Sequence, residues 1–219
     1  MTTIYLIRHS VRFERSNIES YLTEQSNLLK NEKIILSVEG EKRAEILSHE
    51  EELQNIDVVY ASNLVRTLAT AKYLCYNQNL KVNIDDRFDE RRVGIPNDND
   101  VTDWFTRQYY DPNYKTVGGE SQLDVRNRVY GGLLDILSKH KDKRVAIFSH
   151  GYAITFLLLK WCKLINIDRN HKFTISYNDK IIYDKKINAP EVFKLTFDGT
   201  NLKNLECIEF EDLEFMDKI

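Results

Sequence analysis

Three short apolar runs in this chain each end abruptly in polar residues, and this pattern restricts the possible folds. The runs cover residues 4–7, 57–61 and 145–148, and each is typical of a strand buried on both faces. Helical patterns over residues 64–76 and 152–162 follow the second and third runs. Alternating strands and helices predict βαβ units. We therefore predict an α/β fold, with three α/β/α layers around a mainly parallel central sheet.

The residues that follow these runs form a set suited to phosphate chemistry. Ligands of parallel sheets bind beyond the carboxyl ends of the strands, so Arg8, His9, Arg66 and His150 are expected at one edge. Arginines suit phosphoryl oxygens, a neutral imidazole can attack phosphorus, and a second, protonated imidazole can stabilise the charge that develops. A carboxylic acid can protonate the leaving alkoxide. The pattern indicates an anion site that is capable of phosphoryl transfer.

The rest of the chain predicts one domain over residues 1–219. Helices are predicted over 37–51, with Ser37 as the cap, and over 121–140, with a capping-box-like start at Ser121 and Asp124. Short strands are expected at 81–84, 173–177, 180–183, 192–197 and 205–210. Residues 94–119 are rich in aromatic side chains and lack periodicity, which indicates a lid-like loop or small helical insert. The alternative is an aromatic cluster packed on the main core.

Composition excludes several classes of function. The net charge of −3 and pI near 6.0 argue against nucleic-acid binding. The longest apolar stretch, residues 152–159, is far shorter than the ~20 residues of a membrane span, and no signal peptide is recognisable. Three cysteines without a Cys-x-x-Cys pair predict reduced thiols in the cytoplasm. The histidines lack metal-ligand spacing, so we expect no metal and no cofactor. The oligomeric state is left open.

Six motifs in chain order resemble those of the histidine phosphatase superfamily, which includes the phosphoglycerate mutases. They are Leu6-Ile7-Arg8-His9-Ser10, Leu36-Ser-Val-Glu-Gly40, Ala61-Ser62-Asn63-Leu64-Val65-Arg66-Thr67, Phe88-Asp-Glu90, Gly118-Gly-Glu-Ser121 with Arg128, and Phe148-Ser-His150-Gly151. The resemblance covers nearly the whole chain and implies a phosphoglycerate mutase-like fold.

The resemblance also implies a role for each matching residue. His9 would be the nucleophile that becomes a phosphohistidine, and Glu90 would be the proton donor. The residues expected to bind the phosphoryl group are Arg8, Arg66, His150 and Gly151. The implied activity is metal-independent hydrolysis of a small phosphorylated metabolite.

Several positions depart from the family pattern. Ser10 replaces the usual glycine, so its hydroxyl either adds a donor to the phosphate or narrows the site. Arg12 and Arg15 either bind a second anionic group of the substrate or are solvated loop residues. Arg91 and Arg92 are candidates for a substrate carboxylate or second phosphate, but the mutase motif around the acid is incomplete. We therefore favour a phosphatase, with a mutase-type phosphotransferase or a non-catalytic phospho-ligand- or protein-binding module as alternatives.

Overall fold

The computed structural model describes residues 1–13, 31–95, 104–168, 170–211 and 213. The strands are β1 Thr2–Arg8, β2 Val58–Ala61, β3 Val82–Ile84, β4 Arg144–Ser149, β5 Lys163–Ile167, β6 Lys172–Tyr177, β7 Lys180–Lys186, β8 Val192–Asp198 and β9 Asn201–Ile208. The helices are α1 Val38–His49, α2 Val65–Asn77, α3 Trp104–Tyr110, α4 Gln122–Lys139 and α5 Gly151–Leu158. Two short 3-10 helices lie at Glu51–Leu53 and Asp86–Phe88.

The central sheet has six strands in the order β3-β2-β4-β1-β8-β9. The first four strands are parallel to one another. At one side, β8 pairs antiparallel with β1, and β9 pairs antiparallel with β8. Arg8 pairs with Ser149, and Ala61 pairs with Phe148, so three strands end at nearly the same level. The predicted mainly parallel sheet is confirmed, and its register aligns the residues that follow β1, β2 and β4.

Both faces of the sheet are covered, which explains the continuous apolar runs. In β1, Ile4 and Leu6 belong to the core under α4 and α5, whereas Tyr5 and Ile7 belong to the core under α1 and α2. All four side chains are at most 1% exposed. A strand covered on both faces needs apolar residues at every position, and successive side chains point to opposite faces. The three-layer architecture is confirmed.

The helix starts follow the predicted capping chemistry. Ser37 accepts a hydrogen bond from the Gly40 N–H at 3.0 Å, and Ser121 and Asp124 form a complete capping box at the start of α4. Helix α5 ends at Leu158 rather than at the predicted Cys162, because the chain tightens into turns before it enters β5. In the described part of the chain, no helix is long and apolar enough to cross a membrane.

A second, three-stranded antiparallel sheet, in the order β5-β6-β7, was not expected from the sequence. The strand patterns at 173–177 and 180–183 were recognised, but β5 was missed because it follows directly on the apolar helix pattern. Phe173 and Ile175 of β6 are at most 1% exposed and share the core under α4 and α5. This small sheet therefore packs against the same helices that carry part of the site.

The segment from 94 to 119 contains helix α3, so the helical-insert interpretation fits better than a loop alone. Ile95 pairs with Val117 as an isolated bridge that closes the segment, and Tyr109 packs into the core. Gly94 has φ +72°, and a Cβ there would lie 2.4 Å from the carbonyl oxygen of Val117. The bridge therefore requires glycine at this position. Residues 96–103 lie outside the described part, and a lid function stays a prediction.

Candidate active site

A cavity of about 800 Å³ opens at the carboxyl edge of the parallel strands. Most of the predicted site residues line it, namely Arg8, His9, Arg12, Arg66, Glu90, Arg91, Arg92 and Gly151. His150 is fully buried next to His9, with 5.2 Å between the ring centroids. Ser10 is not among the lining residues, and Arg15 lies outside the described residues.

The imidazole of His9 is held in a defined tautomer. Its Nδ1 lies 2.8 Å from the carbonyl oxygen of Ser10. A carbonyl oxygen can only accept, so Nδ1 carries the hydrogen and Nε2 keeps its lone pair. Burial, followed by the charges of Arg66 and Arg8, lowers the pKa of His9 well below its ordinary value of 6.5. At neutral pH, His9 is therefore a neutral imidazole with a free nucleophilic nitrogen.

Ser10 contributes to the site through its main chain. Its carbonyl orients His9, and its N–H donates to Thr70 Oγ1 at 3.0 Å. Its hydroxyl is fully buried and has no hydrogen-bond partner among the described residues. The structure does not bring the Ser10 hydroxyl to the cavity wall, where the sequence analysis expected it.

His150 is fixed through a chain of hydroxyl groups. Its Nε2 lies 2.7 Å from Ser62 Oγ, which lies 2.8 Å from Thr67 Oγ1. Thr67 in turn donates to the carbonyl of Leu64 at 2.6 Å. Burial and the charge of Arg66 lower the pKa of His150 well below 6.5. The neutral imidazole is thus favoured, in contrast to the protonated second imidazole that the sequence analysis expected.

Two arginines, the half-buried Arg8 and the buried Arg66, bring positive charge to the cavity wall, and backbone carbonyls hold each of them. Nη1 of Arg8 donates to the carbonyls of Ile187 and Asn188. Nη1 of Arg66 donates to the carbonyl of Asn31 at 2.7 Å. Burial lowers the pKa of Arg66 to about 10, so it is still protonated at neutral pH. Since these acceptors are uncharged, both guanidinium charges are available to an anion.

Glu90 reaches the cavity from the segment after β3. Its Oε1 accepts hydrogen bonds from the N–H groups of Arg91, at 2.8 Å, and Ala153, at 3.3 Å. The second contact ties the carboxyl group to the first turn of α5, the helix that follows His150. The acid is therefore fixed relative to the two histidines.

An ion pair from the Gly-Gly-Glu-Ser motif holds the Glu90 segment in place. Arg128 Nε donates to Glu120 Oε1 at 2.7 Å, and Nη2 donates to Oε2 at 2.9 Å. The same guanidinium donates to the carbonyls of Arg87 and Asp89 at 2.9 Å and of Glu90 at 3.2 Å. The motif was recognised in the sequence, but this positioning role needed the three-dimensional contacts.

Further arginines make the cavity strongly cationic. Arg91 is 2% exposed and donates to the Glu120 carbonyl and the Gln108 side chain, whereas Arg12 and Arg92 are more exposed. Among the described lining residues, Glu90 is the one carboxylate beside five arginines and a lysine. No three His, Cys, Asp or Glu side chains of the described residues lie close enough together to hold a metal ion. The wall therefore favours an anionic ligand.

The lining residues on the side of the small sheet were not indicated by any sequence pattern. They include Ile167, Phe173, Lys186 and Ile187, together with Tyr152 of α5. Their sequence patterns are those of ordinary strands and a core helix. Only the packing of β5 to β7 beside α5 shows that they belong to the site.

Comparison with known proteins gives a family match over most of the chain. The model of the histidine phosphatase superfamily, branch 1, matches residues 4–183. Phosphoserine phosphatase 1 of Hydrogenobacter thermophilus is 31% identical over 147 residues, which are 61% of this chain and 65% of that protein. The aligned region thus spans slightly less than two thirds of that relative.

Solved structures share the fold at low sequence identity. A mycobacterial glucosyl-3-phosphoglycerate phosphatase in complex with inorganic phosphate has a TM-score of 0.66 and 16% identity, over 95% of this chain and 96% of that one. A phosphoserine phosphatase from Entamoeba histolytica in complex with 3-phosphoglyceric acid has a TM-score of 0.60 and 17% identity, over 97% and 100%. These likenesses show the fold of the chain.

The lowered pKa values of His9 and His150 predict a loss of stability in mild acid. In the unfolded chain both side chains bind protons below about pH 6.5, whereas in the folded protein they stay neutral to a lower pH. The free energy of unfolding should therefore fall as the pH drops below about 6.5, by up to about 1.4 kcal/mol per pH unit for each histidine. Urea unfolding of wild type and His150→Gln between about pH 7 and 5 tests this. The variant should show the shallower slope, and equal slopes would contradict the prediction.

Proposed function

We propose that this chain, which belongs to the histidine phosphatase superfamily, is a metal-independent phosphatase of small phosphorylated metabolites. The observation that carries the proposal is the state of His9, a buried neutral imidazole whose Nε2 is free while Nδ1 donates to Ser10. This nucleophile lies in the same cavity wall as Arg8 and Arg66. A nucleophile beside fixed cations is what phosphoryl transfer through a covalent intermediate requires.

In the first step, His9 Nε2 attacks the phosphorus atom of the bound monoester. A nitrogen–phosphorus bond forms, and the bond from phosphorus to the alcohol oxygen breaks. Protonated Glu90 gives its proton to the leaving alkoxide, so that a neutral alcohol departs. Arg8 and Arg66 stabilise the negative charge on the phosphoryl oxygens, which is the main electrostatic contribution to such a transfer.

In the second step, water hydrolyses the phosphohistidine. The Glu90 carboxylate takes a proton from the water, whose oxygen attacks phosphorus while the nitrogen–phosphorus bond breaks. Inorganic phosphate leaves, His9 becomes neutral again and Glu90 is protonated again. An anionic phosphoryl group beside His150, which is adjacent to His9, raises the pKa of His150 because it favours the protonated imidazole.

The cavity wall contains more cationic side chains than one phosphoryl group engages, and this supports a substrate with a second anionic group. The phosphoryl group engages Arg8 and Arg66, and Arg91 and Arg92 lie in the same wall, where they can contact a carboxylate or further phosphate. Two of the proteins named above are a phosphoserine phosphatase and a phosphatase solved with 3-phosphoglyceric acid, and phosphoserine and 3-phosphoglyceric acid both contain a carboxylate. We infer a phosphorylated carboxylic acid as the substrate class.

The decisive experiment measures phosphate release from p-nitrophenyl phosphate in excess EDTA. Wild type should remain active because no step uses a metal, and His9→Ala should abolish turnover because the nucleophile is lost. His49→Ala is the control, since this exposed histidine on α1 lies outside the cavity lining. Activity lost to EDTA, or retained in His9→Ala, would contradict the proposal.

Glu90→Gln should separate substrates by their leaving groups. Hydrolysis of alkyl phosphates should fall by about 10²- to 10⁴-fold because the alkoxide needs a proton, whereas p-nitrophenyl phosphate should lose much less. Asp89→Asn is the matched control, since Asp89 is the neighbouring acid but does not line the cavity. Steady-state kinetics on both substrate types checks this, and equal losses in Glu90→Gln would remove Glu90 as the proton donor.

Arg92→Gln tests the second anion site. The KM for phosphoserine should rise about 1.5- to fivefold, as expected for the loss of one largely exposed ion pair. The KM for p-nitrophenyl phosphate, which has no second anionic group, should change less. Arg107→Gln removes a half-exposed arginine that does not line the cavity and serves as the control. Equal changes for both substrates would rule out Arg92 as a carboxylate-binding residue.

A further inference from the structure

We propose that Glu191, a buried carboxylate behind the cavity wall, is a positioning residue that orients Arg8 for phosphate binding. This inference rests on the proposed function, in which Arg8 binds the phosphoryl group of the substrate. Glu191 does not line the cavity and therefore acts through other residues. Neither the motifs nor the spacing of the sequence pointed to it.

The Glu191 side chain is 5% exposed and is held by several donors. Its Oε2 accepts a hydrogen bond from the Tyr183 hydroxyl at 2.6 Å and another from the Asn188 N–H at 3.1 Å. Its Oε1 lies 3.4 Å from Cys207 Sγ and 3.7 Å from Lys185 Nζ. A buried carboxylate with this many partners restrains the segments that supply them.

The restrained segment, residues 187–191, is the one that holds Arg8. Nη1 of Arg8 donates to the carbonyls of Ile187 and Asn188. The backbone N–H of Arg8 donates to the carbonyl of Glu191 itself at 2.9 Å. One five-residue stretch thus fixes both the main chain and the guanidinium of Arg8, and the Glu191 carboxylate fixes that stretch through the Asn188 N–H.

The carboxylate also connects two sheets across this point. Tyr183 belongs to β7 of the small sheet, whereas Glu191 directly precedes β8, which pairs with β1. Loss of the Tyr183–Glu191–Asn188 contacts leaves the carbonyls that face Arg8 free to shift. A displacement of about 1 Å at a catalytic group can reduce the rate about 10²-fold. The Glu191 side chain therefore affects catalysis without touching the substrate.

The experiment is a double-mutant cycle with Arg8. Glu191→Gln alone should lower kcat/KM on p-nitrophenyl phosphate about tenfold or more. In an Arg8→Lys background the same substitution should have little further effect, because the guanidinium that Glu191 orients is already absent. Equal fold-losses in both backgrounds would show a general structural defect and overturn the proposal, as would full activity in Glu191→Gln.

Glu52→Gln is a matched control for the lost tyrosine–carboxylate hydrogen bond. Glu52 Oε1 accepts from the Tyr5 hydroxyl at 2.6 Å, the same distance as in the Tyr183–Glu191 pair. Glu52 lies near Arg144, the first residue of β4, and away from the cavity. The Glu52→Gln substitution should therefore leave kcat/KM unchanged. Tyr183→Phe removes one donor to Glu191 without changing the ring, so a smaller loss in the same direction is expected if Glu191→Gln folds poorly.

Binding of inorganic phosphate separates this inference from the proposed function. Calorimetry should show weaker binding in Glu191→Gln than in wild type or Glu52→Gln, whether or not turnover occurs. If wild type binds phosphate but hydrolyses no ester, the proposed activity is contradicted. The role of Glu191 can then still be measured through the phosphate affinity. Unchanged phosphate affinity in Glu191→Gln, or no phosphate binding by wild type, would overturn the positioning role.

Discussion

The register of three parallel strands is the constraint on which the site depends. Arg8 pairs with Ser149 and Ala61 pairs with Phe148, so the residues after each pair meet at one edge of the sheet. A shift by one residue would turn every side chain to the opposite face. The two cores that cover both sheet faces fix the register, because each strand residue must match one of them. The packing of the sheet thus determines where His9 and His150 meet.

The second requirement is that the arginines of the cavity wall are held in place without a carboxylate partner that would neutralise their charge. Burying a charge is costly unless hydrogen bonds compensate for its lost hydration. Arg8 and Arg66 meet this requirement with backbone carbonyls, which are dipoles and carry no net charge. Apart from Glu90, two further carboxylates lie behind the wall, where Glu120 engages Arg128 and Glu191 holds the turn next to Arg8. The groups that fix the two arginines are thus distinct from the anion that these arginines are proposed to bind.

The sequence predicted those parts of the fold that depend on local chemistry. The positions of β1, β2 and β4, the Ser37 cap and the Ser121–Asp124 capping box follow from neighbouring residues, and the structure confirms them. The strands predicted at 180–183 and 205–210 differ in their ends from β7 and β9. The small sheet could not be predicted, because the patterns of β5 to β7 do not specify which strands they join. The position of Ser10 was also beyond sequence reasoning. Whether its hydroxyl faces the cavity depends on how the backbone turns after β1.

The electrostatics of His9 show why a cationic wall and a neutral nucleophile are compatible. The charges of Arg66 and Arg8 oppose protonation of His9, so they preserve the lone pair that the proposed attack needs. In the proposed reaction, the same charges attract the phosphoryl group. A carboxylate on His9 Nδ1 would raise the imidazole pKa, whereas the Ser10 carbonyl fixes the tautomer without adding a charge. In the proposed reaction, with Glu90 as the one acid among the described lining residues, one set of arginines would both keep the nucleophile neutral and bind its target.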